Sequence, residues 1–250
     1  MRRRTGRASD RAAPSGADVT VVIPARNEEE RLPACLRRLR EQSLVGFEVI
    51  VVDSASTDRT AQVARSFGAS VIALQQPGVG RARQAGFDAA RGTIVASTDA
   101  DALPSHDWVE RLAAPFRDPS VVGSFGTIRF SPDGLWPRIG HALFSRFQKV
   151  NHRLGVPLCC GPNFAVRKAA FLAVGGFAAG MGFPNEAEDI RLALKLGTLG
   201  KIVFLPDLAM AVSPRSVAEG RLLKYLGHHA WVYLKVCWLE NRVRHLVGIA

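Results

Sequence analysis

The chain has 250 residues, of which 47% are hydrophobic and 22% charged, as expected for one folded α/β domain with at most a small appendage. An excess of 33 Lys and Arg over 22 Asp and Glu gives a net charge of +11, which favours an anionic partner such as nucleic acid, a phosphate-bearing substrate or an acidic lipid surface. The aromatic residues do not alternate with basic ones, and we find no helix-turn-helix or zinc motif and no apolar run of about 18 residues, so we expect neither a nucleic-acid-binding nor a membrane-spanning protein.

Residues 1–18 are rich in Arg, Ala, Ser and Gly and lack a hydrophobic run. This composition predicts a disordered basic tail rather than a secretory signal. The four cysteines have neither metal-ligand nor disulfide spacing; they are Cys35, Cys159, Cys160 and Cys237. We therefore expect reduced thiols and a cytoplasmic protein, peripheral at most to the inner face of the cell membrane.

The first hundred residues alternate short apolar runs, typical of buried strands, with segments of helical periodicity. The predicted strands are 19–23, 47–52, 70–74 and 92–96, with helices between them. Asn27 is a candidate N-cap for the first helix. Such β-α alternation predicts an open, mostly parallel sheet with helices on both faces.

Ligands of such sheets bind beyond the carboxyl ends of the strands, and four polar features of this sequence fall there. They are Pro24-Ala25-Arg26, Asp53, the loop around Gly78, and the pair Asp99 and Asp101. Asp53 could accept hydrogen bonds from a base or ribose, or cap the next helix. The Gly78 loop lacks the lysine of a Walker motif; Arg83 beside it could clamp a diphosphate or be a solvated helix residue.

Asp99 and Asp101 follow a short buried strand, and strand alternation would direct both carboxylates to one side, with Ala100 pointing away. Mg²⁺ typically takes one or two carboxylates together with phosphate oxygens, so the pair is a candidate site for a cation that holds a diphosphate. A solvated turn is the alternative, since Asp favours turns and Pro104 follows closely.

The alternation breaks from Trp108, where Trp108, Leu112 and Phe116 form an apolar helical stripe that we assign to the core. The sequence then predicts a strand over 121–130, a helix over 136–153, a strand over 159–167 and a final strand over 201–206. Three acids, Glu186, Glu188 and Asp189, precede a helical run. Carboxylates there could cap the helix, but three acids in four residues exceed what one cap needs, which leaves one available as a general base.

The closing segment, 221–246, has apolar residues at helical spacing among tryptophans and basic residues. Such a helix could lie on an anionic membrane or pack back on the domain.

In combination, these motifs resemble the family 2 glycosyltransferases, which are inverting enzymes of the GT-A fold. The matching stretches run in the family's order over roughly residues 19–215. They are 21–28, 51–58, Gly80 to Arg83, Thr98 to Asp101, Gly175 to Phe177, and Glu188-Asp189.

The resemblance implies a role for each matching residue. The base and ribose would be held by Pro24, Ala25, Arg26, Glu28 and Asp53. Arg83 would lie near the base or diphosphate. Asp99 would contact the ribose and the metal, and Asp101 would ligate Mg²⁺ or Mn²⁺. Asp189, with Glu188 as its substitute, would deprotonate the acceptor hydroxyl. Ser213 and Arg215 could close over the diphosphate.

The sequence departs from the family pattern at Gln84, where many relatives carry Asn. The Gln-x-x-Arg-Trp pattern of processive members is also absent, and its absence favours transfer of a single sugar.

The resemblance thus implies a disordered tail (1–18), a GT-A domain (19–215) with a nucleotide-binding half (19–103) and an acceptor half (104–215), and an amphipathic helical tail (216–250). The expected reaction is metal-dependent, inverting transfer of one sugar from a UDP- or GDP-sugar to an acceptor hydroxyl. The acceptor stays open: the basic helical tail is compatible with a lipid-linked one, and the expected setting is cell-envelope glycan or glycolipid synthesis. The alternatives are a sugar-phosphate nucleotidyltransferase, which would carry a lysine-bearing glycine-rich loop, and a non-catalytic nucleotide-sugar-binding or membrane scaffold protein, which would not need Glu188-Asp189.

Overall fold

The computed structural model describes residues 14–130, 134–177 and 188–213. Its central sheet has seven strands, and their order across the sheet is β3-β2-β1-β4-β6-β5-β7. The strands are β1 Val19–Ala25, β2 Glu48–Ser54, β3 Ser70–Leu74, β4 Ile94–Ser97, β5 Val121–Phe130, β6 Phe164–Arg167 and β7 Lys201–Val212. The α-helices of the described residues are α1 Leu32–Arg40, α2 Thr60–Ser66, α3 Val79–Ala89, α4 Trp108–Ala113, α5 Leu135–Arg153, α6 Lys168–Ala173 and α7 Glu188–Leu196.

The first four strands are all parallel, which confirms the predicted β-α alternation. β1 pairs with β2 on one side and β4 on the other, and β3 adds to the outside of β2. Val21, Val22 and Ile23 are fully buried because helices cover both faces of β1, which is why the strand is continuously apolar rather than alternating. The register places Ala25 opposite Asp53, so β1 and β2 end side by side.

The second half of the sheet is mixed. β6 runs antiparallel to both β4 and β5, while β7 is parallel to β5. Because β6 runs opposite to β4, with Ser97 opposite Phe164, the residues that lead into β6 lie at the edge where β1, β2 and β4 end. This reversal brings the second half of the chain to the edge at which β1, β2 and β4 end.

Two hydrophobic layers hold the helices to the sheet. On one face Leu32 and Leu36 of α1 pack with Trp108 and Leu112 of α4, and on the other Phe87 of α3 packs with α6 and α7. The stripe Trp108, Leu112 and Phe116 is buried, as predicted. Phe87 and Phe171 of α6 have ring centroids 4.9 Å apart.

Several local predictions need correction. α1 begins at Leu32, so Asn27 is not its N-cap. Residues 159–163 are not part of a strand, because β6 begins only at Phe164. The last strand extends to Val212, with an irregularity opposite Gly126 and Thr127 of β5. Gly16–Asp18, assigned to the basic tail, form a single 3₁₀ turn whose close approach to the backbone of Val45 leaves no room for a side chain at Gly16.

The remaining predictions for the termini fall outside the described residues. They concern the basic tail up to residue 13, the helical tail 216–250, and Arg215. Within the described residues, no helix combines the length and the apolar character needed to cross a bilayer.

Candidate active site

Two loops at the carboxyl edge of β1 and β2 are joined by hydrogen bonds between backbone N–H groups and side chains. The backbone N–H of Asn27 donates to Oγ of Ser56 at 3.0 Å, and its side-chain Oδ1 accepts from the N–H of Thr57 at 2.8 Å. Asn27 has a φ of 54°, a left-handed conformation that Asn tolerates better than most residues. Asn27 therefore joins the two loops rather than capping a helix.

Asp53 and Glu28 are buried beside these loops, at 8% and 7% exposure. Oδ1 of Asp53 accepts a hydrogen bond from the N–H of Ser56 at 3.0 Å, and since α2 begins at Thr60, Asp53 forms a turn rather than a helix cap. The N–H of Glu28 donates to Oγ1 of Thr60 at 2.8 Å. These two carboxylates therefore occupy the end of the β1–β2 pair, where Pro24 and Ala25 are also buried and Arg26 is exposed.

Asp99 and Asp101 lie in a turn after β4, which ends at Ser97. The N–H of Ala102 donates to the carbonyl of Asp99 at 3.1 Å, so the strand alternation that we used to orient the two carboxylates does not apply. The turn nevertheless buries Ala100 and leaves both aspartates half-buried. Burial, aided by the charges of Asp99 and then Asp101, raises the pKa of the Cys35 thiol beneath the turn. Both carboxylates therefore lie near the same buried thiol.

Arg83 on α3 is a buried link between the two halves of the chain. Its Nη2 donates to Oδ1 of Asp99 at 2.9 Å, and its Nη1 donates to Oε1 of Glu188 at 3.0 Å. The arginine is only 5% exposed. Burial opposes the charge, but Asp99, Asp189 and Glu188 outweigh it and hold the pKa of Arg83 above its ordinary value. Arg83 is therefore neither a solvated helix residue nor an open clamp: it positions two carboxylates.

Of the two glycines beside this link, Gly161 is sterically required, whereas Gly80 would leave a Cβ at an ordinary van der Waals distance. A Cβ on Gly161 would lie 2.3 Å from Nη2 of Arg83, which no real contact allows. A Cβ on Gly80 would lie 3.7 Å from the carboxyl carbon of Glu188. Gly161 belongs to the segment before β6, and sequence analysis did not identify it as a site residue. The one feature of the sequence that could have pointed to it is its position as a glycine in a polar stretch.

Glu188 and Asp189 are the first two residues of α7 as described. Burial raises the pKa of Asp189 while Arg83 opposes the shift, and backbone N–H groups of Ile190 and Gly161 donate to the carboxylate, the former at 2.9 Å. Burial also raises the pKa of Glu188, with Arg83 opposing and Asp189 reinforcing the shift. Burial is thus the main cause for both residues.

Gln84 holds the turn that contains Gly175, Gly176 and Phe177. Its Oε1 accepts from the N–H of Phe177 at 2.8 Å, and its Nε2 donates to Asp88 at 2.9 Å. Gly176 has a φ of 63°, and a Cβ there would lie 2.4 Å from the Gln84 amide. Gln84 therefore joins α3, which also carries Arg83, to the turn at Phe177.

The carboxylate oxygens at this edge of the sheet are ligands that suit a hard divalent cation bound together with phosphate. Asp99 and Asp101 could supply carboxylate oxygens, and Arg83 joins Asp99 to a further carboxylate, Glu188. Arg83 is already paired, so a diphosphate entering this acidic edge needs a cation beside it. Within the described ranges, no group of three or more His, Cys, Asp or Glu side chains has the arrangement of a complete metal site. Two carboxylates plus substrate oxygens are what Mg²⁺ commonly uses.

The structure thus gathers most of the predicted site residues at one edge of the sheet. Asp99, Arg83 and Glu188 are in direct contact, with Asp189 next to them and Asp101 in the same turn as Asp99. Asp53 and Glu28 lie at the adjoining strand ends. Ser213 follows β7 at Val212, and no described contact links it to these residues.

Comparison with known proteins gives matches of sequence and of fold. The family model described as glycosyl transferase family 2 matches residues 20–175. An uncharacterized glycosyltransferase of Mycobacterium tuberculosis is 37% identical over 175 residues, which are 69% of this chain and 78% of that protein. The undecaprenyl-phosphate 4-deoxy-4-formamido-L-arabinose transferase of Pseudomonas aeruginosa is 38% identical over 133 residues, 48% of this chain and 38% of the relative.

Among solved structures, the mannosyltransferase of Pyrobaculum calidifontis in complex with GDP-Man and Mn²⁺ superposes with a TM-score of 0.66 at 24% identity, covering 81% of this chain and 60% of that one. Staphylococcus aureus TarS in complex with UDP-GlcNAc gives a TM-score of 0.62 at 24% identity, covering 78% and 58%. These likenesses confirm the expected GT-A fold. This chain spans less than two thirds of either solved chain.

Proposed function

The chain belongs to glycosyl transferase family 2, and within that family we propose that it moves a single sugar from a nucleoside diphosphate sugar to an acceptor hydroxyl, with inversion at the anomeric carbon. The observation that carries this proposal is the contact of Arg83 with both Asp99 and Glu188. It joins the edge where a donor would bind to the carboxylates that could act on an acceptor.

The donor's base and ribose would lie over the ends of β1 and β2. Backbone groups of Pro24 and Ala25 and the carboxylates of Glu28 and Asp53 would form that part of the site, with the exposed Arg26 at its rim. Asp99 would contact the ribose on the side of β4. Arg83 would act on the donor chiefly by fixing Asp99, because both of its terminal nitrogens already donate to carboxylates.

Asp189 would be the general base. Its carboxylate is held by backbone N–H groups and has a raised pKa, so it can accept a proton near neutral pH more readily than an ordinary aspartate. As the acceptor oxygen attacks the anomeric carbon, its proton passes to Asp189 and the bond to the nucleoside diphosphate breaks on the opposite face. Glu188, held by Arg83, would keep the acceptor side of the site in place.

Asp99 and Asp101 would hold Mg²⁺ or Mn²⁺, which when bound would neutralise charge on the departing diphosphate. The support is the excess of carboxylates at this edge. The mannosyltransferase of similar fold was solved with Mn²⁺ and GDP-Man, which is compatible with this assignment.

We further propose a lipid-linked acceptor and a place at the inner face of the cell membrane. The support is the name of the Pseudomonas aeruginosa relative, an undecaprenyl-phosphate sugar transferase, together with the basic character of the chain. The base and sugar of the donor stay open between UDP- and GDP-sugars, since the two nucleotide sugars in the solved neighbours differ.

The test is donor hydrolysis across a panel of UDP-, GDP- and dTDP-sugars with and without Mn²⁺, comparing the wild type with Asp101→Ala. Asp118→Ala is the matched control, because Asp118 is an exposed aspartate bound to Ser120 and Lys201. We expect Mn²⁺-dependent release of one nucleoside diphosphate, reduced about 100-fold or more in Asp101→Ala and unchanged in Asp118→Ala.

Equal turnover of Asp101→Ala and wild type would contradict the metal assignment. Release of pyrophosphate would instead support a nucleotidyltransferase, and absence of both turnover and calorimetric donor binding would support a scaffold protein.

A further inference from the structure

Helix α5 exposes a continuous apolar face. Its exposed large hydrophobic residues recur at intervals of three or four, which places them on one side of the helix. They are Leu135 (71% exposed), Ile139 (41%), Leu143 (65%), Phe147 (43%) and Val150 (48%), followed by Leu154 (71%) directly after the helix. Isolated exposed hydrophobic residues are ordinary, but a helix-long stripe of them marks an interaction surface.

The same exposed surface is basic and carries no acid. Arg138, Arg146, Lys149 and Arg153 are all exposed, and α5 contains no Asp or Glu over its 19 residues. Long cationic side chains beside an apolar stripe suit the headgroup layer of an anionic bilayer, where the apolar residues enter the boundary and the cations meet lipid phosphates. A protein partner would need a surface that is both acidic and apolar along the whole length of α5. An anionic bilayer has both properties over its entire surface, so the charge pattern favours a lipid surface.

The opposite face of α5 is fixed to the candidate active site. Gln148 is fully buried, and its Nε2 donates to the carbonyl of Leu158 at 2.8 Å and contacts Sγ of Cys160 at 3.4 Å. Cys160 immediately precedes Gly161, which touches Arg83 and donates to Asp189. Only this short segment separates the exposed helix from the proposed base.

We propose that the exposed face of α5 docks on an anionic membrane surface and so presents the acceptor side of the site to lipid-linked substrate. The docking itself stands on the stripe and its charges. The consequence for substrate rests on the proposed function, because it assumes that Asp189 acts on an acceptor.

The experiment is co-sedimentation of the full chain with vesicles of phosphatidylcholine mixed with phosphatidylglycerol, and with vesicles of pure phosphatidylcholine. The variant Leu143→Glu with Phe147→Glu tests the stripe, and Arg146→Gln with Lys149→Gln tests the charges. The matched control is Leu172→Glu, which alters an exposed leucine of α6 (54%) away from the stripe. We expect the wild type to prefer the anionic vesicles and the stripe variant to bind them at least about tenfold more weakly. The charge variant should lose the preference for anionic vesicles, and the control should bind like the wild type.

Equal binding by the stripe variant and the wild type would overturn the proposal and assign any membrane contact to another part of the chain. So would a wild type without preference for anionic vesicles. Sedimentation equilibrium provides a third arm: a dimer that the stripe variant abolishes would identify the face as a contact between two copies. Donor hydrolysis in the absence of vesicles should be the same in the wild type and all variants, so that failure of docking and failure of the proposed glycosyl transfer give different results.

Discussion

Arg83 and Glu188 lie 105 positions apart in the chain, yet Nη1 of the arginine donates to Oε1 of the glutamate at 3.0 Å. Both side chains are largely buried, at 7% and 14% exposure. The other terminal nitrogen of Arg83 holds Asp99. One guanidinium therefore fixes the relative positions of a carboxylate at the donor edge and a carboxylate at the start of α7, and the site depends on it.

Replacing Arg83 by Met should damage both folding and activity, because it leaves buried carboxylates without their counter-charge. Loss of one partner of a buried ion pair costs about 3–5 kcal/mol in the free energy of unfolding, which denaturant titration measures. Sugar transfer should fall about 100-fold or more. Arg81→Met is the matched control, since Arg81 lies two positions away on α3 and is exposed. A similar loss in both variants would argue against a special role for Arg83.

The raised pKa of Asp189 predicts the pH dependence of transfer. A general base must be ionised to accept the acceptor proton, and burial raises the pKa of this carboxyl. Activity should therefore rise with pH through that raised pKa and be lost below it, at a pH higher than an ordinary aspartate would give. The measurement is kcat/KM against pH for the wild type.

Two variants separate the roles of Asp189 and Glu188. Asp189→Asn should bind donor but abolish transfer at every pH, whereas Glu188→Gln should lower transfer and keep the acidic limb of the profile. Donor binding is measured by calorimetry. Full activity of Asp189→Asn would remove it as the base, and loss of the acidic limb only in Glu188→Gln would transfer that role to Glu188.

Gly161→Ala should displace Arg83 without changing any charge. The added Cβ would lie 2.3 Å from Nη2, so the guanidinium must move away from Asp99. Overpacking of this kind costs about 1–3 kcal/mol, and transfer should fall with it. The control is Gly140→Ala on α5, where a Cβ meets nothing within 4 Å and should stabilise the helix by about 0.5–1 kcal/mol. If Gly161→Ala kept wild-type activity, the close packing would have no role in the site.

Gln84→Ala should loosen the turn at Phe177. The N–H of Phe177 loses its acceptor, at a cost of about 1–3 kcal/mol if the group stays buried. Gln84→Asn should recover only part of this, because its amide is one methylene shorter. Gln75→Ala, at an exposed position just before α3, is the control. Thermal melting and donor hydrolysis together report whether the turn supports the site or only the fold.

Local sequence patterns were enough to predict the first half of the sheet and most of its elements. The apolar runs of the first four strands and the helical spacing between them dictate parallel β-α units, and β3 and β5 were predicted with the bounds that the structure has. The rule that ligands bind at the carboxyl ends of such strands then selected Asp53, Asp99 and Asp101. These results depend on local periodicity, which a single sequence displays directly.

The tertiary structure alone decided how the site is assembled. Strand alternation was not a valid basis for orienting Asp99 and Asp101, because β4 ends at Ser97 and the turn that follows is set by contacts such as that of Ala102 with Asp99. The antiparallel direction of β6 brings Gly161 to Arg83. Neither this contact nor the bridge to Glu188 has a local signal, because each joins residues far apart in the chain. Burial raises the pKa of Asp189, and burial is a property of the packed chain rather than of any motif.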